Sequence, residues 1–86
     1  MKKISFFDDK NVIYDRLRYY RKQRGMSQEQ VVAKLQTMNV NIDQQALSRI
    51  ENNSRIVTDY ELACLCRVLG VTERELLADF YKKFSE

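Results

Sequence analysis

Residues 28–53, QEQVVAKLQTMNVNIDQQALSRIENN, decide how this chain folds. They read as two short helices joined by a polar turn. Ser27 and Gln30 form an S-x-x-Q capping box that starts the first helix, and Val31, Val32 and Leu35 give it an apolar face at helical spacing. Residues 37–42 are polar with Met38, Val40 and Ile42 interspersed. Asp43 is a good N-cap for the second helix. That helix ends at Asn52-Asn53-Ser54, because Asn tolerates the left-handed conformation of a helix stop. The second helix divides sharply. Ala46, Leu47 and Ile50 make one face, and Gln44, Gln45, Ser48, Arg49 and Asn52 make the other. A solvated face is usually rich in Lys and Glu. This one carries amides, a hydroxyl and a guanidinium, groups that can pair bidentately with base edges. A plain polar surface helix is the competing reading.

On the N-terminal side, Ile13, Leu17 and Tyr20 recur at i, i+4 and i+7. They predict a helix over residues 11–24, which Gly25 stops. Tyr14 and Tyr19 read as amphipathic cover over a small core. Residues 1–10 show no periodicity, although Phe6 and Phe7 offer apolar surface. On the C-terminal side, Thr58 and Glu61 form a second capping box, followed by Leu62, Leu65, Cys66 and Leu69 and a stop at Gly70. Thr72 and Glu75 form a third, and Leu76, Leu77 and Phe80 form the apolar side of a last helix reaching about Phe84. The expectation is an all-α, compact five-helix domain without strands.

Eighty-six residues suit one small domain with a modest core. A net charge of +3 does not by itself demand a polyanionic partner, but its distribution is suggestive. Residues 11–24 hold Arg16, Arg18, Arg21, Lys22 and Arg24 against the single acid Asp15, whereas residues 58–86 are net acidic. That polarity suits a protein that lays one side on phosphates. No apolar run approaches membrane-spanning length. Asp8, Asp9 and Lys10 interrupt any signal-peptide core, so a cytoplasmic protein is expected. Cys64 and Cys66 are too close for an ordinary disulfide framework, and no His is present to complete a zinc site. They read as core cysteines. Without a His, a nucleophile–base pair or a glycine-rich phosphate loop, neither an enzyme nor a cofactor is expected.

A helix with an amide-rich face, a shorter helix before it that opens at Ser-Gln, and a basic helix before both describe a helix-turn-helix. In such a unit the first helix sets its N-terminus at a DNA phosphate and the second enters the major groove. The chain resembles the phage repressor and Cro type of helix-turn-helix regulators, the Xre group. The resemblance is carried by LRYYRKQRGMSQEQVVAKL at 17–35, ALSRIENNSR at 46–55 and DYELACLCRVLGVTERELL at 59–77. It implies a DNA-binding domain over residues 11–77, an N-terminal segment over 1–10 and a C-terminal helix extension over 78–86.

The same resemblance implies residue roles. Gln28 matches the phosphate-contacting glutamine that opens the family's second helix. Asp43, Gln44 and Gln45 match the start of its recognition helix, and Arg49 matches a later base- or phosphate-facing position; Ser48 shares the polar face read above as base-contacting. Asn52 matches a phosphate contact just after that helix, and Arg55 is an added one. Arg21 and Glu51 match the family's structural ion pair. Two features depart from the pattern. The turn is longer by about four residues, with 38–41 as the insertion, and Val32 stands where a small residue is usual. Asn39 and Asn41 in that turn are either DNA contacts or a solvated loop. Double-stranded DNA and a second copy of the chain are the expected partners. The last helix, with Leu77, Phe80, Tyr81 and Phe84, is either an interface or folds back over the core or over Phe6 and Phe7. The alternative function is an antitoxin or adaptor whose main partner is another protein, held by that helix or by residues 1–10.

Overall fold

Capping boxes and left-handed stops divide the chain into helices where the sequence places them. The computed structural model describes residues 5–84. Residues 1–4 of the expected N-terminal segment and residues 85–86 of the C-terminal extension lie outside the described residues. The helices are α1 (Tyr14–Gln23), α2 (Gln28–Thr37), α3 (Gln44–Glu51), α4 (Asp59–Leu69), α5 (Glu73–Leu76) and α6 (Ala78–Phe84). No strand occurs among the described residues, only an isolated antiparallel bridge between Phe6 and Asp9.

All three expected capping boxes form, at Ser27–Gln30, Thr58–Glu61 and Thr72–Glu75, and Asp43 caps α3 through the Ala46 amide. Each box satisfies two backbone donors that a helix start leaves without intrahelical partners. The stops also have a physical basis. Asn53 takes φ +61°, and the amides of Asn53 and Ser54 donate back to Ile50 O and Arg49 O at 3.1 and 2.8 Å. This is the double closure that a left-handed residue permits.

Two boundaries differ from the sequence reading. The first helix begins at Tyr14 rather than residue 11, because the buried Asn11 side chain is committed elsewhere. Its Oδ1 accepts from Ile13 N, and its Nδ2 donates to Ile50 O and Arg55 O. The expected last helix is two helices, so the described residues hold six rather than five. The chain bends at Leu77. Leu76 remains fully buried, while α6 turns so that Phe80 meets Phe6, with ring centroids 5.6 Å apart. A contact distant in sequence overrides the local helical preference of residues 72–84.

The core is continuous and apolar. Leu17 of α1, Val31 and Leu35 of α2, Leu47 and Ile50 of α3, Leu65 and Leu69 of α4, and Leu76 of α5 are its fully enclosed members. Each contributes roughly 1.5–3 kcal/mol by burial. Val32, where the family pattern has a small side chain, is also buried. The core therefore fixes the angle between α2 and α3, and through it the placement of the polar face of α3.

Candidate nucleic-acid interface

The polar face of α3 is organised by a chain of four side chains. Arg21 of α1 donates to Glu51 twice, Nε to Oε2 at 2.6 Å and Nη2 to Oε1 at 3.0 Å, and its Nη1 donates to Met26 O at 2.9 Å. Gln28, the first residue of α2, donates Nε2 to the same Glu51 Oε1 at 3.0 Å. Gln44, the first residue of α3, donates Nε2 to Gln28 Oε1 at 3.2 Å. Glu51 is 2% exposed. A carboxylate this deep requires both a counter-charge and filled lone pairs, and Arg21 and Gln28 supply them. The ion pair thus sets Gln28, and Gln28 sets Gln44, at the point where α2 and α3 both begin.

Gln45 and Arg49 are different. Both are exposed, and neither side chain has a partner among the described residues. Ser48 Oγ accepts from Asn52 Nδ2 at 3.5 Å. An amide has two N–H donors and an acceptor oxygen. Gln44 therefore keeps one N–H and its Oε1, which is the donor–acceptor pair that adenine presents in complement. Gln28 keeps one N–H, enough for a phosphate oxygen.

Arg55 stands apart from this group. Its Nη1 and Nη2 donate to Glu61 Oε1 and Oε2 at 3.0 and 3.1 Å, and Nη1 also reaches Ile56 O. Glu61 is 3% exposed. Burial works to raise its pKa, but hydrogen bonds from Arg55 and Thr58 outweigh it and hold the carboxyl below its usual range. Arg55 is correspondingly held above its ordinary value, chiefly by the bond to Glu61. A second structural ion pair thus exists that sequence spacing did not reveal. The available signal was Glu61 itself, a capping-box glutamate with an arginine just upstream.

The basic run of α1 is likewise engaged within the fold. Arg16 pairs with Asp79 at 3.2 Å, Arg18 with Asp15, and Arg21 with Glu51, while Arg24 donates to Leu69 O at 2.8 Å. Of its cations only Lys22 lacks a partner among the described residues. The run that reads as a phosphate-facing stripe is in large part the glue between α1 and its neighbours.

A family model described as Helix-turn-helix matches residues 17–76, which is most of the chain. The chain belongs to this helix-turn-helix family. It is of the phage repressor and Cro type, the class of DNA-binding transcription regulators. Among solved structures it is similar to a mutant of the restriction-modification controller protein C.Esp1396I. That match has a TM-score of 0.69 and 26% identity and covers 93% of this chain and 92% of the other. No curated protein matches.

The helix-turn-helix has an unusual connector. Asn39 closes α2 with φ +66°, its amide donating to Gln36 O and that of Val40 to Leu35 O, both at 3.1 Å. Val40 and Ile42 are buried while Asn39, Asn41 and Asp43 are exposed. The longer turn is therefore a braced ledge and not a loose loop. No helix among the described residues is long and apolar enough to cross a membrane.

Cys64 and Cys66 are both free thiols, and burial, aided by Glu73 and Glu75, pushes Cys66 up to about 11. At neutral pH it carries almost no thiolate, the reactive form. A thiol reagent should label Cys66 in the native protein far more slowly than in urea, as mass spectrometry would read. Equal rates would mean that the α4 packing opens readily.

Proposed function

We propose that this helix-turn-helix protein is a sequence-specific transcriptional repressor that acts as a homodimer on a short palindromic operator. The observation that carries this reading is the polar face of α3. Gln44 is fixed through Gln28 and Glu51, and beside it Gln45 and Arg49 stand exposed and without a partner among the described residues. In this reading Gln44, Gln45, Ser48 and Arg49 contact bases, and Gln28 and Asn52 grip phosphates. Arg55 serves the fold first, with its two terminal nitrogens on Glu61, and phosphate second. The likeness to a restriction-modification controller protein supports a promoter as the target. Dimerisation supports selectivity, because two half-sites about one helical turn apart must then be read together.

The test is selection from a random-sequence duplex library, followed by anisotropy across a salt series. A palindrome with spacing near one helical turn is the expected result. Weak binding without enrichment, steeply lost with salt, would mean non-specific grip and would favour the protein-partner alternative. On the selected site Gln45→Ala and Arg49→Ala are each expected to cost about 1–3 kcal/mol and to relax base preference. Gln28→Ala should weaken specific and random DNA more evenly. An Arg49→Ala loss that is equal on both DNAs would remove Arg49 from the base readers.

A further inference from the structure

Residues 6–11 form a second link, beside α1, between α6 and the C-terminal end of α3. At one end the chain makes a tight turn, with Phe6 N to Asp9 O and Asp9 N to Phe6 O both at 2.8 Å. Its central residues Phe7 and Asp8 have φ of +48° and +71°. A left-handed Phe is a strained choice that persists only where its surroundings impose it. Phe7 itself is 73% exposed, and α6 holds the turn through the neighbouring Phe6. The Phe6 ring lies 4.7 Å from Phe7, 5.6 Å from Phe80 and 6.1 Å from Phe84. Lys83 reaches Asp9 Oδ2 at 3.9 Å and sits 5.8 Å over the Phe7 ring.

At its other end the segment holds the C-terminal end of α3. Asn53, the left-handed residue that stops α3, donates Nδ2 to Asp9 Oδ1 at 2.8 Å. Its Oδ1 accepts from Lys10 N and Asn11 N at 2.8 and 3.3 Å. Asn11 Nδ2 in turn donates to Ile50 O and Arg55 O at 3.0 and 2.9 Å, filling carbonyls at the end of α3 and just beyond it. Asp9 therefore binds Asn53 with one oxygen and lies against Lys83 with the other. Along this path α6 and the end of α3 are linked through one short segment.

We propose that residues 6–11 are a strap that positions the C-terminal end of α3 from α6, with Asn53 and Asn11 as positioning residues for DNA reading. The proposal rests on the DNA-binding reading above. The strap holds α3 at the end opposite Gln44 and adds to the hold that Arg21 has there on Glu51. Loosening Phe6 from α6 slackens Asp9, then Asn53, and tilts the base-reading face without touching it.

Two variants test this in the full chain. Phe6→Ala removes the aromatic hold on α6. Asn53→Gly removes the side-chain bonds and keeps the left-handed stop, which glycine adopts freely. In Phe6→Ala, amide hydrogen exchange at Asn52, Asn53 and Ser54 should speed by about tenfold or more, while amides of α2 stay protected. Either variant should lose about fivefold or more in affinity for the selected site, and much less for random DNA. The double variant should bind no worse than the weaker single one, since both break the same link. Unchanged exchange at 52–54 in Phe6→Ala would overturn the strap, as would additive losses in the double variant. A loss of affinity that follows a loss of self-association in sedimentation would also overturn it, placing Phe6 in a subunit contact instead. Should the wild-type protein select no DNA, the functional reading fails, and the exchange experiment still decides whether α6 holds the end of α3.

Discussion

Replacing Arg21 by alanine should destabilise the fold by about 3–5 kcal/mol, the cost of leaving one member of a buried ion pair behind. For a small domain whose total stability is of order 5–15 kcal/mol, that is a large fraction. The Glu51 side chain is only 2% exposed, against 12% for Arg21. Without Arg21, the carboxylate keeps only the Gln28 amide as a partner and loses two charge-assisted bonds. Met26 O loses its donor as well. Arg21→Lys should fall in between, because an ammonium keeps the charge but lacks the planar fork that serves two carboxylate oxygens together. The pair also carries information about DNA. A double variant with Arg21→Met and Glu51→Met removes both charges and should recover much of the lost stability, as apolar replacements of buried pairs often do. It should not recover operator affinity, because Gln28 then has no anchor and Gln44 loses its fixed neighbour. Urea melts of the four proteins, with anisotropy on the selected site, separate the two effects. A loss below about 1 kcal/mol for Arg21→Ala would mean that the pair behaves as a solvated surface bridge.

Much of this was legible before the structure because it is local. Ser27, Thr58 and Thr72 each stand three residues before a Gln or Glu, and Asp43 precedes an apolar period. A cap needs only its own first turn, so spacing alone finds it. The amide-rich face of α3 was visible for the same reason. Long-range commitments were not. Nothing in the period of residues 11–24 shows that Asn11 has a buried role against Ile50 and Arg55, which lie far along the chain, and the helix therefore began later than expected. Nothing in residues 72–84 shows that Phe6 will pull α6 away from α5. The basic run of α1 illustrates a different limit. Charge counting records Arg16 and Arg24 as cations available to phosphate, whereas the fold turns one to Asp79 and the other to Leu69 O. Net charge is a weak guide to an interface when acids from elsewhere in the chain return to meet the bases.

Arg55→Ala should cost about 3 kcal/mol at neutral pH, toward the low end for a buried pair because the arginine is partly exposed. The fall should fade in acid, and the sign follows from Glu61. In the folded wild-type protein its carboxyl is held below the usual range, so the unfolded chain takes up the proton first. The stability that Glu61 contributes is therefore complete above the unfolded carboxylate pKa and is lost as pH falls through the folded one. Removing Arg55 deletes the strongest hydrogen bond that lowers this pKa and leaves burial, which raises it, opposed only by the bonds to Thr58. The variant then gains relative to wild type as the carboxyl protonates. Stability measured in urea from pH 7 down to about 3 should show the two curves converging. A gap that stays constant across that range would mean that the arginine acts through packing of its stem and not through the carboxylate. The experiment also bears on DNA. If Arg55 serves mainly the fold, its loss should lower affinity for specific and random DNA only as far as unfolding explains, with the salt slope unchanged. A slope smaller by about one would instead restore Arg55 as a phosphate contact.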